Sequence, residues 1–522
     1  MMENNVFQVD FDAVEKEVRF YQKEQAELLN IESAVQQQWV DKNPTSFHRN
    51  ERATTTVLFG GLTLMQDAFI QAACTGIGYR FQALDCPDND AMQVGKEFGN
   101  RGQCNPTYFT VGNLVKYLIY LRDVEGLGTK EIIDSYIFTT AGACGPCRFG
   151  LYVTEYRKAL RDAGFEGFRV LLFESAGGVR QGGEELGLDF SPKFFKAMFK
   201  AIILGDVINL LAYRIRPYEK TEGEVNKILE SCQQLIIDRL EKNKNVIPAL
   251  RETKRKLSVI ELDCLRVKPK VSVIGEFWAM TTEGDGNYHL QKFLEKEGAE
   301  VDIQPVTNWT LYMIWAAQYD ARQQLKLKLS WKQKTGLSKK LILLKLADVV
   351  MKAWFNRYAK AAGLNDYHLA DMELLAKDSH AYYANELRGG EGHMEVGKLI
   401  QAVKYQKSHL VVSVKPFGCM PSSGVSDGVQ SLVTGQYPEA NFLAIETSGD
   451  GAVNVYSRLQ MALFKARKKA QQDMDNVMAE IKINADDIQR KANKQNPKTV
   501  NIYPSHRCAS TAANRVYQLF DR

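Results

Sequence analysis

Short β-branched runs alternate with helix-patterned stretches twice along this chain, and that alternation restricts the fold more than any other feature. Thr54 to Phe59, Tyr79 to Leu84, Ser135 to Thr140 and Arg169 to Glu174 read as strands. Between them Leu62 to Ile77, Asn105 to about Asp123 and Phe149 to Ala163 read as helices, the last ended by Gly164. The pattern resumes with strand-like runs at Lys270 to Glu276, Glu300 to Pro305, His409 to Lys415 and Asn441 to Ile445. Asn287 to Lys296, Val396 to Lys407 and Val425 to Thr434 are its helices. Strands separated by helices cross over and pair in parallel, so the expected class is α/β with two parallel sheets.

A chain of 522 residues exceeds one ordinary core. The expected parts are an N-terminal helical arm (1–50) packing on a later domain, a first α/β domain (51–190) and a helical bridging segment (191–265). A second α/β domain (266–450) with a helical insertion from about Trp309 to Ala362 follows, then a long C-terminal helix, Val453 to Gln495, and a tail (451–522). Hydrophobic residues at 45% and charged residues at 25% are ordinary for a globular protein. The net charge of +5 is too mild for a nucleic-acid footprint. Lys465-Ala466-Arg467-Lys468-Lys469 reads as a solvated helix face. The N-terminus lacks the plan of a signal peptide, and no apolar run of about 18 residues occurs, so a cytoplasmic location with no membrane partner is expected. In that reducing compartment the nine cysteines are expected as thiols or metal ligands. A homodimer is the default on symmetry grounds.

Three cysteines stand in Gly/Pro turns ahead of helix-patterned segments: Cys104 in Gly102-Gln103-Cys104-Asn105-Pro106, Cys147 in Cys144-Gly145-Pro146-Cys147, and Cys419 in Gly418-Cys419-Met420-Pro421. Asn105 is the expected cap of its helix, with Pro106 at the first position. A helix N-terminus favours the thiolate, the form that binds metal, and each thiol has a basic neighbour, Arg101, Arg148 or Lys415. Three such thiols suggest one anionic cofactor, an iron–sulfur cluster with an incomplete protein ligand set. Three thiolates leave one iron open for chemistry, and Cys144 is a candidate fourth ligand that would close it. Cys144 and Cys147 also form a C-x-x-C, readable as a redox dithiol or half of a zinc site, but no second pair or histidine spacing accompanies it. Cys74 and Cys86 read as packing, with ligation of a larger cluster as the alternative. Cys232 and Cys264 read as core, and Cys508 as incidental in a polar tail.

Gly389-Gly390-Glu391-Gly392-His393 and Thr447-Ser448-Gly449-Asp450-Gly451 each precede a helix. Neither has the spacing of a nucleotide motif, so both read as tight turns, and any ATP-driven step belongs to a partner. Glu283-Gly284-Asp285-Gly286-Asn287 reads as a turn because a calcium loop's later glutamate is absent.

Taken in order, these motifs resemble the 2-hydroxyacyl-CoA dehydratase and CoA-activase superfamily. The Gly102–Pro106 stretch is similar to its first cysteine motif. Thr140-Ala141-Gly142 through Cys147-Arg148, with Tyr156-Arg157-Lys158-Ala159-Leu160, is similar to the second. Gly389–Gly392, Lys415–Pro421 and Tyr437-Pro438-Glu439-Ala440-Asn441 resemble the third region. The likeness spans roughly residues 54–470 and is strongest to the dehydratase-like C-terminal portion of long CoA-activase proteins, without their ATPase modules. It extends to double-cubane cluster proteins. It implies two Rossmann-like domains with an oxygen-sensitive cluster between them, a [4Fe–4S] cube on Cys104, Cys147 and Cys419, or an [8Fe–9S] double cubane on more cysteines. Arg148 and Lys415 are then candidate tuners of its potential. The resemblance further implies a separate iron–sulfur ATPase as electron donor and radical dehydration or reduction, with a CoA thioester as candidate substrate. A non-catalytic electron-transfer or assembly component with a closed cluster is the alternative.

Overall fold

The computed structural model describes residues 11–28, 46–142, 147–174, 178–179, 187–365, 367–387, 392–494 and 507–520. Met1–Asn43 and Pro44–Arg522 are two compact units. In the first, Phe11–Leu28 is a helix. Much of the rest of the expected arm lies outside the described residues.

The larger unit holds two sheets. Strands β1 (Thr56–Phe59), β2 (Phe81–Ala83), β3 (Tyr136–Ala141) and β4 (Arg169–Glu174) run parallel in the order β2-β1-β3-β4. The two-residue β5 (Gly178–Val179) adds an antiparallel edge to β4. Strands β6 (Lys270–Gly275), β7 (Glu300–Ile303), β8 (Leu410–Pro416) and β9 (Phe442–Thr447) run parallel in the order β7-β6-β8-β9. The chain is therefore an α/β protein with two four-stranded parallel sheets flanked by helices, as the alternation predicts, and consistent with two Rossmann-like domains. Counted within its own half, each sheet has the order second, first, third, fourth. The point where strand order reverses, where such sheets bind ligands, thus falls between β1 and β3 and between β6 and β8. Every residue of β6 and β8 is buried, which accounts for their Val-rich, non-alternating sequences.

The expected bridge is three helices, Pro192–Ile215, Glu224–Glu241 and Ile247–Leu257. Pro192–Ile215 is buried around most of its circumference, with Ile203, Leu204, Val207, Ile208 and Leu211 all inside. It packs on the helix Leu64–Thr75 of the first half and on β7 and the helix Val306–Leu325 of the second. One apolar core consequently runs from Val57, Phe59 and Ile137 to Val271, Val273 and Val412. Asp206 sits within this joint. Its carboxylate accepts hydrogen bonds from Val306 N (2.8 Å), Thr307 N (2.7 Å), Thr307 Oγ1 (2.5 Å) and Gln66 Nε2 (2.9 Å).

Several expectations need correction. Cys104, not Asn105, occupies the N-cap of Asn105–Asp123: Cys104 has the extended backbone of a cap, and Asn105 is already helical, its side-chain amide donating to the Thr447 carbonyl (3.0 Å). The helix expected from Asn287 begins at Leu290, since Tyr288 and His289 both take left-handed backbone (φ 59° and 49°). The long C-terminal helix is two, Ala452–Ile481 and Ala485–Asn493, broken at left-handed Lys482 and restarted by the Asn484 cap. The tail is not merely polar: Thr511–Phe520 is a helix whose Ala513, Val516 and Leu519 are buried. Cys508 lies on its approach, where burial pushes the thiol up to about 12. Among the described residues no helix is long and apolar enough to cross a membrane.

Candidate functional site

Two of the three motif cysteines hang from equivalent places in the fold. Cys147 follows β3 and Cys419 follows β8, the third strand of each half. Cys104 stands at the head of Asn105–Asp123, which leads back towards β3. Its counterpart in the second half is the head of Gly392–Lys404, the helix that leads into β8 and carries Glu395 in its first turn.

Backbone contacts bring the turns of Cys104 and Cys419 together. Asn105 N donates to the Phe417 carbonyl (2.9 Å), and Phe417 N donates to the Thr447 carbonyl (3.0 Å), which also takes the Asn105 amide. Gly418 has φ +77°, and a Cβ built on it would lie 3.1 Å from Cys104 Cα. Glycine is thus needed there both for its left-handed backbone and for the approach of the two turns.

Side chains tie the Cys147 segment to the Cys104 turn. The Arg148 guanidinium donates to the Gly102 carbonyl. Glu155, buried in the helix Tyr152–Asp162, accepts from Asn100 N (3.0 Å), Asn100 Nδ2 (2.9 Å) and Gln103 Nε2 (3.1 Å). Tyr152 Oη lies 3.0 Å from Cys104 Sγ, and Thr107 Oγ1 lies 3.3 Å from it. Burial, reinforced by the neighbouring Cys104 sulfur, holds the Tyr152 phenol well above its usual range. It therefore stays protonated, and donates whenever Cys104 is a thiolate. Cys104 and Cys419 are buried and Cys147 partly so. Cys144 lies outside the described residues, as do Gly389, Gly390 and Glu391.

The second half adds a polar cluster that sequence reasoning missed. Glu276, at the end of β6, accepts from Ala279 N at 2.8 Å. Burial raises its pKa against that pull. Glu395 is raised to about 8 by burial and the Glu276 charge, opposed by a hydrogen bond from Ser422 and by the Lys415 charge. Ser422 Oγ lies 3.4 Å from Glu395 Oε1, and the buried Glu395 Oε2 has no hydrogen-bond partner among the described residues. Lys415 Nζ lies 3.9 Å from Glu446 Oε1. Just beyond Cys419, Gly424–Val429 is wound as a π-helix, a feature frequent at functional sites. The only signal for Glu276 and Glu395 in the sequence is an acidic residue beside a strand end or glycine turn, too common to single out.

This cluster fixes a pH dependence. Glu395 has a folded pKa of about 8 against an unfolded 4.5, so the folded state holds its proton more tightly. The stability from that proton is complete below the unfolded value and is lost as pH rises through about 8. Urea unfolding of cluster-free protein between about pH 5 and about pH 8 is expected to show falling stability, and Glu395→Gln, which keeps the hydrogen-bonding shape without the charge, is expected to flatten the fall. An unchanged slope in the variant would remove Glu395 as its source.

Other motifs resolve structurally. The Thr447–Gly451 turn has its N–H cradle filled from within. The Tyr288 hydroxyl accepts from Ser448 N (2.8 Å), Gly449 N (3.1 Å) and Gly451 N (3.3 Å), which matches a strand-to-helix turn. In the Glu283–Asn287 turn, Glu283 accepts from Leu64 N (2.8 Å) and Asp285 from Asn89 N (2.9 Å), so it caps two helices of the first half. Cys74 lies in the core 3.8 Å from Met198 Sδ, and Cys86 lies 3.7 Å from Thr282 Oγ1. Burial pushes both thiols up.

Among the described residues no three His, Cys, Asp or Glu side chains are grouped as they would be around a single metal ion. A four-iron cube holds its thiolates farther apart than the donors of one ion, so its site is marked by turns gathered about a shared space. Here the Cys104 and Cys419 turns are in backbone contact, the segment after Cys147 is tied to them, two of the three thiols are buried, and a tyrosine hydroxyl lies on the Cys104 sulfur.

Fold and site thus define a two-sheet α/β protein in which the Cys104 and Cys419 turns meet and Arg148, next to Cys147, reaches the first of them. The chain matches no protein-family model, and no curated protein matches it.

Proposed function

We propose that this chain is an iron–sulfur protein of the 2-hydroxyacyl-CoA dehydratase and CoA-activase type, fed low-potential electrons by a separate ATPase and acting reductively or by dehydration on a CoA thioester. What supports the reading is the joining of three distant segments: the Cys104 turn is in backbone contact with the Cys419 turn and is held by Arg148, Tyr152 and Glu155 of the Cys147 segment. Cys104, Cys147 and Cys419 would hold the cluster, with Cys144 the candidate fourth ligand. Bound there, the cluster supplies single low-potential electrons and, on three thiolates, one iron open to a substrate oxygen.

The surrounding residues have separable tasks. Tyr152 keeps its proton and directs it at the Cys104 sulfur, drawing charge from that thiolate. Cys104 is the N-cap of Asn105–Asp123, so the positive end of that helix dipole lies beside the same negative charge. Glu395 is protonated at neutral pH, and so holds a proton on the Cys419 side of the site.

The test is EPR of anaerobically loaded full-length protein with and without 2-hydroxyacyl-CoA thioesters. A changed signal on adding thioester is expected. An unchanged signal with every thioester, on a cluster that is present, would overturn the substrate assignment. In the same preparation Tyr152→Phe is expected to keep its iron but to lower the midpoint potential, on the order of tens of millivolts, because a hydrogen bond to a ligating sulfur is lost. An unmoved potential would place Tyr152 outside the site.

A further inference from the structure

The helix Trp331–Ala362 is apolar on two opposite sides, yet only one is covered. Its last third is anchored: Met351, Phe355, Tyr358 and Ala362 are buried, against the helices Ile247–Leu257 and Pro192–Ile215. The earlier part packs along Val306–Leu325. On the other side Trp331, Ile342, Leu343, Leu346, Val349 and Val350 are between 50% and 83% exposed. Ile342, Leu346, Val349 and Val350 stand at i, i+4, i+7 and i+8, so they form one stripe. Leu327, in the turn before the helix, is also exposed. A helix that is apolar on both sides is expected to be buried on both, which makes this face one that meets something.

Charge says what it meets. From Arg322 to Ala347 the chain carries Lys326, Lys328, Lys332, Lys334, Lys339, Lys340 and Lys345 and no Asp or Glu. All seven lysines are exposed, and none is ion-paired among the described residues. A second copy of this face would set lysine against lysine. A protein interface would favour Arg over Lys and draws little from Leu and Val. Lysines flanking a Leu/Ile/Val stripe with Trp at its end are instead what a lipid interface takes: the apolar side chains enter the acyl boundary, and long lysine stems reach back to anionic headgroups. Among the described residues no helix is long and apolar enough to cross a bilayer, and a helix that lies on one needs no such length.

We propose that the exposed face of Trp331–Val350, with the preceding Lys326–Ser330 turn, is a docking surface for an anionic lipid bilayer. This stands independently of the cluster. The test is co-sedimentation of the full chain with vesicles of phosphatidylcholine alone and of phosphatidylcholine with phosphatidylglycerol, at low and high salt. Partitioning at least about tenfold stronger on the anionic vesicles and weakened by salt is expected. Leu343→Glu with Leu346→Glu, and separately Lys339→Glu with Lys340→Glu, are each expected to cut it about tenfold, with circular dichroism and thermal midpoint unchanged since these side chains are exposed. Equal partitioning on both vesicles, or variants that bind like the wild type, would overturn the proposal. So would self-association, or capture of an acidic protein, that these substitutions abolish while vesicle binding is absent.

Discussion

Gly275→Ala is expected to leave little folded protein. Gly275 ends β6 with φ +129°, and a Cβ there would lie 2.0 Å from the Val414 carbonyl oxygen and 2.6 Å from Val414 N. Both atoms belong to β8, the strand paired with β6 at this point, so neither can swing aside as a side-chain tip would. Strained backbone costs roughly 1–3 kcal/mol, and forcing atoms into a packed sheet about as much again or more, for a total of about 4 kcal/mol or more. The damage lands where Glu276 leaves β6 and where β8 runs on to Cys419, so the site is lost with the fold. Gly78→Ala is the control: its φ is +94° but nothing lies within 4 Å of the added Cβ, so it should cost only about 1 kcal/mol of backbone strain. Urea midpoints of the two variants measure the difference, and similar values would show that the Gly275 contact does not matter.

Asp206→Ala is expected to cost about 3–5 kcal/mol by the same measurement. Burial raises this carboxyl to about 6 against the pull of its donors, so near neutral pH it is ionised and meets all four of them as a carboxylate. Removing it strands the Val306 and Thr307 N–H groups at the buried start of Val306–Leu325, together with the Thr307 hydroxyl and the Gln66 amide. Asp206→Asn should rescue only part of the loss, because one side of an amide presents N–H to donors that need an acceptor. Asp206 is the polar point at which the bridging helix holds a helix of each half, so its loss should also loosen the facing of the two cysteine-bearing halves. A cost under about 1 kcal/mol would mean that the joint is held by apolar packing alone.

The alternation of strands and helices was legible because it rests on local periodicity and composition. Arg169–Glu174 and Asn105–Asp123 fall where the sequence places them. Failures came where tertiary contacts outbid local rules. Asn105 has the right chemistry for a cap, but the helix begins with it, after extended Cys104, and its amide reaches the Thr447 carbonyl instead. Ala452–Asn493 has no Gly or Pro to announce its break, which comes from a left-handed lysine and an asparagine cap. The three cysteine turns could be picked out because a cysteine among glycine and proline ahead of a helix is uncommon. Their mutual contacts could not, since these run through Gly418, Arg148 and Glu155 across more than one element. Glu276 and Glu395 were invisible for a related reason: a carboxyl becomes unusual only once the fold has buried it beside another.

The most direct test of the central claim, that the three turns build one cluster site, is iron and acid-labile sulfide per chain on anaerobically purified protein, for wild type and for Cys104→Ser, Cys147→Ser, Cys419→Ser and Cys144→Ser. The account predicts about four irons in the wild type, loss in each of the first three variants, and retention in Cys144→Ser if the cluster keeps an open iron. A wild-type chain without iron and sulfide, or iron retained when Cys104 and Cys419 are both replaced, would contradict it.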